Sequence, residues 1–127
     1  MGLPSGTLWC KYNLGVDPHN LNSYLDLYGS YVSWGEIKEK SENITKRECY
    51  NYYTYKYARG AYNQLTKYIT DVDYAAKKNL HYYKLKPGES IRYFDNLTEL
   101  LPEDDIATQK LGNNFHLPTF NQFDELI

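Results

Sequence analysis

This chain has too few aliphatic side chains to make a core from them alone. Leu, Ile, Val and Phe supply 28 of 127 residues, about 22%, just above the level at which a chain fails to bury an interior. Fifteen tyrosines enlarge that supply. Each brings apolar area together with a hydroxyl that wants a partner or water. A chain of this length has room for one domain of ordinary size, 1–127. The pattern excludes a disordered tail, a collagen-like repeat and a coiled coil. No apolar run approaches the roughly 18 residues of a membrane span, so membrane insertion is not expected.

The net charge of −2 offers no basic face to nucleic acid or an anionic membrane. Basic residues gather between Lys38 and Arg59, but Glu36, Glu39, Glu42 and Glu48 interleave with them, which reads as a solvated surface. No nucleic-acid partner is expected. Cys10 and Cys49 allow at most one internal disulfide, and a pair of buried thiols satisfies the sequence equally well. The opening Met1-Gly2-Leu3-Pro4-Ser5-Gly6 lacks the charged and apolar regions of a secretory signal.

Thr7-Leu8-Trp9 and Tyr31-Val32-Ser33-Trp34 are short β-prone runs bounded by turn residues, and residues 13–30 between them lack a period. From Tyr50 to Tyr57, Tyr53, Tyr55 and Tyr57 alternate with Thr54 and Lys56, predicting a strand or ribbon with one aromatic side. His81 to Leu85 is a weaker strand candidate, ended by Pro87-Gly88.

Helix signals concentrate at the C-terminal end. Pro102-Glu103-Asp104-Asp105 places proline and three acids in a first turn, Ile106, Ala107 and Leu111 form an apolar stripe, and Gly112 fits the position after the last turn. Thr119 with Gln122 forms a capping box for a second helix, whose buried face would be Phe123, Leu126 and Ile127. So short a helix takes most of its stability from packing. Something beyond this sequence is therefore expected to cover residues 119–127: further chain, a protein partner or a second copy.

Four blocks of the chain resemble the Fibrobacter succinogenes major paralogous domain family, found in surface proteins of gut Bacteroidota. They are Gly2-Leu3-Pro4-Ser5-Gly6-Thr7-Leu8-Trp9 with Asn13 and Gly15; Tyr28 to Glu36, ending in Trp34-Gly35-Glu36; Leu65-Thr66-Lys67-Tyr68; and Glu103 to Thr108 leading through His116-Leu117-Pro118-Thr119 to Ile127. The match covers the front half of the family domain. Here His116-Leu117 stands where the family has Arg-Met, and the family cysteines fall at Tyr12 and near Ala58, so no family disulfide carries over. The resemblance implies an α+β, C-type-lectin-like architecture with short antiparallel strands, two C-terminal helices and part of the domain missing. It brings no catalytic residues.

The chemistry-bearing residues do not assemble an enzyme on paper. Ser5 lies in a Gly-Leu-Pro-Ser-Gly turn, which is not a nucleophile elbow. His19, His81 and His116 are scattered without metal-ligand spacing, and no nearby base activates Cys10. Asp71-Val72-Asp73 and Asp104-Asp105 lack the oxygen-rich spacing of a calcium loop. No metal and no cofactor are expected. Asn43 and Asn96 begin glycosylation acceptor triplets, which matter only on a secretory route. Tyr50, Tyr52, Tyr53, Tyr55 and Tyr57 are the candidate binding residues, because tyrosine adds large, rigid contact area with a polar tip. The alternative is that these rings fill a core poor in aliphatics. Trp9 and Trp34 are expected as core anchors, with Thr119 and Phe123 structural at the last helix.

Two functions fit. The first is a non-enzymatic, lectin-like adhesion module at a cell surface, contacting a glycan or protein through the tyrosine-rich face. The alternative is a structural virion protein (capsid decoration, head fibre or tail component) of a phage infecting gut Bacteroidota. The lack of a signal, the short chain and the uncovered last helix favour that alternative.

Overall fold

The structure, a computed structural model, describes residues 3–40, 50–61, 65–70 and 95–127. The chain forms two compact units, Met1–Lys40 with Leu101–Ile127, and Ser41–Leu100.

The expected α+β, C-type-lectin-like architecture is not what the described residues adopt. No β-strand forms among them, and regular structure there is limited to α1 (Ile106–Leu111), α2 (Phe120–Leu126) and two 3-10 turns, Tyr24–Leu27 and Pro102–Asp104. Thr7-Leu8-Trp9 and Tyr31-Val32-Ser33 run without ladder partners. High β-propensity describes how a side chain fits a half-buried sheet, and without a neighbouring strand it specifies nothing. The strand expected at 81–85 and the residues Asp71, Asp73 and Cys49 lie outside the described residues.

In the first unit, the C-terminal segment condenses around one carboxylate. Asp105, 3% exposed, caps α1 by accepting from the Ala107 and Thr108 N–H groups at 2.9 and 3.1 Å. Its other oxygen accepts the Leu117 N–H at 2.8 Å, folding the chain beyond α1 back onto the helix start. The Thr108 hydroxyl donates to the Phe115 carbonyl at 2.7 Å and fixes the same return. Ile106, fully buried, and Ala107 form the apolar interior here. Gly112 follows α1, and Thr119 and Gln122 close a capping box on α2.

The N-terminal loop joins this framework at three places. Ser5 donates its backbone N–H to Glu125 Oε1 at 2.7 Å and its hydroxyl to Glu125 Oε2. The Trp9 ring meets Phe123 edge-to-face at 5.4 Å between centroids. Lys110 of α1 reaches Glu39 at 2.5 Å, and Glu39 also accepts from the Ser30 hydroxyl. Both donors hold the Glu39 carboxyl below the ordinary range, Lys110 being the larger cause. Residues 13–16 cross 27–30 closely enough that a Cβ on Gly29 (φ 74) would lie 2.2 Å from the Leu14 carbonyl oxygen.

The apolar face expected on α2 is not buried. Phe123 is 49% exposed, Leu126 37% and Ile127 fully exposed, and no residue of the helix is buried. Glu125 rather than an apolar side chain carries a hydrogen-bonded link from α2 to the N-terminal loop. Cys10 is an exposed free thiol and not a buried one.

Candidate functional site

In the second unit, the predicted tyrosine ribbon is instead two successive turns. The Asn51 side chain accepts from the Tyr53 and Thr54 N–H groups at 2.9 and 3.0 Å, and its carbonyl accepts from Tyr55 at 3.0 Å. Asparagine competes with extended structure in this way, offering its own oxygen to the backbone two residues on. The next turn closes from Ala58 N–H to the Tyr55 carbonyl at 3.2 Å, and Gly60 N–H returns to the Tyr52 carbonyl at 3.0 Å. Among the described residues, pairing is confined to one antiparallel bridge, Ala58 with Leu65, next to a Thr66 N–H bond to the Tyr57 carbonyl.

The turns split the five candidate tyrosines into two groups. Tyr53 is 87% exposed and Tyr52 46% exposed, whereas Tyr50, Tyr55 and Tyr57 are half-buried. The Tyr53 ring lies over Gly60, where a Cβ would sit 2.8 Å from its ring edge, and the φ of +92° also favours glycine. Tyr57 meets Tyr55 and Tyr68 edge-to-face, at 6.0 and 5.7 Å between centroids. Such pairs add about 1 kcal/mol each beyond area burial.

Sequence reasoning missed the residues around that cluster. Lys56 Nζ lies 5.0 Å from the centre of the Tyr57 ring, and Lys67 Nζ lies 5.1 Å from Tyr57 and 5.3 Å from Tyr68. Tyr68 has φ +60, a conformation that costs a bulky residue about 1–2 kcal/mol. Asp95 holds it there, accepting the Tyr68 N–H at 2.8 Å, the Ile69 N–H at 2.9 Å and the Leu97 N–H at 3.2 Å. The buried Ile69 returns its carbonyl to the Asp95 and Asn96 N–H groups. One signal was readable in advance: residues 50–70 contain Lys56, Arg59 and Lys67 and no Asp or Glu. The interleaved acids at 36–48 belong to the sequence before this run.

The other candidates are placed as follows. Ser5 is bonded to Glu125 and Thr7. His19 is exposed, and His116 Nδ1 contacts the Leu117 carbonyl at 2.8 Å, while His81 is outside the described residues. Trp34 is 47% exposed. The Trp9 indole N–H is buried with no hydrogen-bond partner among the described residues. Among those residues no three His, Cys, Asp or Glu gather to hold a metal ion, and no helix is long and apolar enough to cross a membrane.

No protein-family model, curated protein or solved structure matches the chain.

Proposed function

We propose that this chain is a non-enzymatic binding and adhesion module that contacts a glycan or protein surface through the tyrosine turns of residues 50–58. The observation that carries this reading is Tyr53, a large ring held 87% exposed on an ordered turn. A ring that served only to fill the interior would be buried. The turn fixes the backbone on both sides of it through Asn51 and Gly60, so little ordering remains to be done on binding. Tyr52 adds a second exposed ring, while Tyr55 and Tyr57 are half-buried and pair edge-to-face with each other. On this reading the module works at a cell surface or outside the cell, as the family resemblance implies. A glycan array probed with the whole chain tests it: binding is expected, with loss in a Tyr52→Ala, Tyr53→Ala double variant whose melting temperature is unchanged. Equal binding by both proteins would contradict it.

A second reading, a structural assembly component such as a virion protein, has its own support in the first unit. Leu8 is 86% exposed and Phe120 82% exposed, apolar surface of the kind that association covers. It predicts oligomers by light scattering. A monomer at every concentration would remove it.

A further inference from the structure

Two segments of the first unit share their polar ties only with each other. The loop of residues 3–9 keeps its own turn, Gly6 N–H to the Leu3 carbonyl at 2.9 Å, and α2 keeps its own capping box. They meet at two points. Glu125 accepts both the Ser5 N–H, at 2.7 Å, and the Ser5 hydroxyl, and Phe123 takes the Trp9 ring edge-to-face. Among the described residues no other hydrogen bond, ion pair or ring contact joins either segment to the rest of the unit. On one side the chain is next fastened at Asn13 and Leu14, which bond to Leu27, Tyr28 and Ser30. Residues 10–12 before that point make no backbone hydrogen bond among the described residues. On the other side it is fastened at Leu117, whose N–H goes to Asp105.

We propose that residues 3–9 and α2 are the two arms of a clasp that opens as a unit, with the Glu125 carboxylate as its latch, while the Asp105 framework stays folded. Units that bury little open at a fraction of the free energy of global unfolding. α2 buries none of its seven residues, and a helix of that length has too few internal bonds to stand alone. α1, one residue shorter, keeps Ile106, Ala107 and Thr108 buried. The closed clasp also works against one of its own groups. The Trp9 indole N–H is buried without an acceptor among the described residues, and opening lets water reach it. A latch made by one carboxylate responds to charge: a second anion at position 5 stands against Glu125 and drives the arms apart. Opening releases Trp9 and Phe123, the two rings that the closed arms hold together. The clasp lies in the first unit, so its failure leaves the tyrosine turns untouched.

The test is amide hydrogen exchange of the whole chain, read residue by residue. The Phe123 and Ile127 N–H groups report α2, and those of Gln109 and Gly112 report α1. In the wild-type chain the α2 pair is expected to be protected above an open chain, yet at least about tenfold less than the α1 pair. Equal protection of the two pairs, or none at α2, would overturn the clasp. Ser5→Asp is expected to lower α2 protection at least about tenfold further and to leave α1 within about twofold of wild type. Ser5→Ala, which keeps the backbone N–H, should fall between the two. Loss at both helices together would make the loop part of the framework, and no loss at α2 would remove Glu125 as the latch, so either result contradicts the proposal. Trp9 gives an independent reading, because Trp34→Phe leaves it the sole indole. In that background Ser5→Asp should move its emission to longer wavelength as the N–H meets water. An unmoved emission would show the arms still closed and would count against the clasp.

Discussion

The two units solve the same problem with the same device at different range. In each, one aspartate carboxylate gathers three backbone N–H groups: Asp105 takes those of Ala107, Thr108 and Leu117, and Asp95 takes those of Tyr68, Ile69 and Leu97. For Asp105 two of the three donors lie two and three residues away, as in any helix cap. For Asp95 two of the three lie 27 and 26 residues away. A chain short of aliphatics gains in this way an organising centre that costs no apolar area. What differs is the consequence. Asp105 starts a helix and a chain return, whereas Asp95 holds a tyrosine in a strained conformation beside the aromatic turns. The first builds framework, and the second builds surface.

The largest expected effect comes from removing the buried centre. Asp105→Ala strands three N–H groups, two at the helix start and one in the returning chain, and should cost about 3 kcal/mol. Thermal melting reads this directly, and a change of only a degree or two would show that Asp105 is not the framework centre. Asp95→Ala should cost less, about 2 kcal/mol, because its donors are only partly buried. Its diagnostic is elsewhere: Tyr68 is released, so the ring resonances of Tyr57 and Tyr68 should shift together in an NMR spectrum. Unchanged Tyr57 resonances would separate Asp95 from the aromatic cluster and break the comparison.

The smallest effect concerns pH. The Glu39 carboxyl is held low by Lys110 and then by Ser30, and that of Asp26 by the Asn22 and Ser23 N–H groups. A carboxyl depressed in the folded state stabilises above its unfolded pKa, near 4, and that stabilisation fades as pH falls through the lower folded value. Both groups are exposed, so the gain is small. Glu39→Gln should therefore melt slightly below wild type at neutral pH and level with it in acid. A gap that persists in acid would show that the Lys110 and Ser30 contacts do not act through charge.

How much of this the sequence discloses follows from the same contrast of range. The Thr119–Gln122 cap is legible, because it acts within three residues, whereas Asp105, expected inside a first turn that began at Pro102, is instead the cap of a helix that starts at Ile106. The Asp105 bond to Leu117 is not legible, since no pattern says where the chain returns. The tyrosine alternation at 50–57 points to a strand, yet Asn51 captures the Tyr53 and Thr54 N–H groups and turns the chain first. Alternation records only that side chains change sides, and it becomes a strand when a partner offers a ladder. Five tyrosines of the candidate site were readable as a class, but which two face solvent depended on the turns. Lys56 was missed because it was read with the acids at 36–48 as one solvated surface, and Lys67 and Tyr68 because nothing local brings residues 67–68 to Tyr57. Asp95 left no local sign of its role.

The central claim is that the chain's contact surface lies on the tyrosine turns and not on the exposed aromatic surface of the first unit. Tyr53→Ala and Phe120→Ala remove rings of 87% and 82% exposure, so each should change stability by less than about 0.5 kcal/mol. Side-by-side probing of the two variants on a glycan array, against the wild-type chain, is the most direct measurement. Loss of binding in Tyr53→Ala with wild-type affinity in Phe120→Ala is the predicted result, and the reverse pattern would contradict the account.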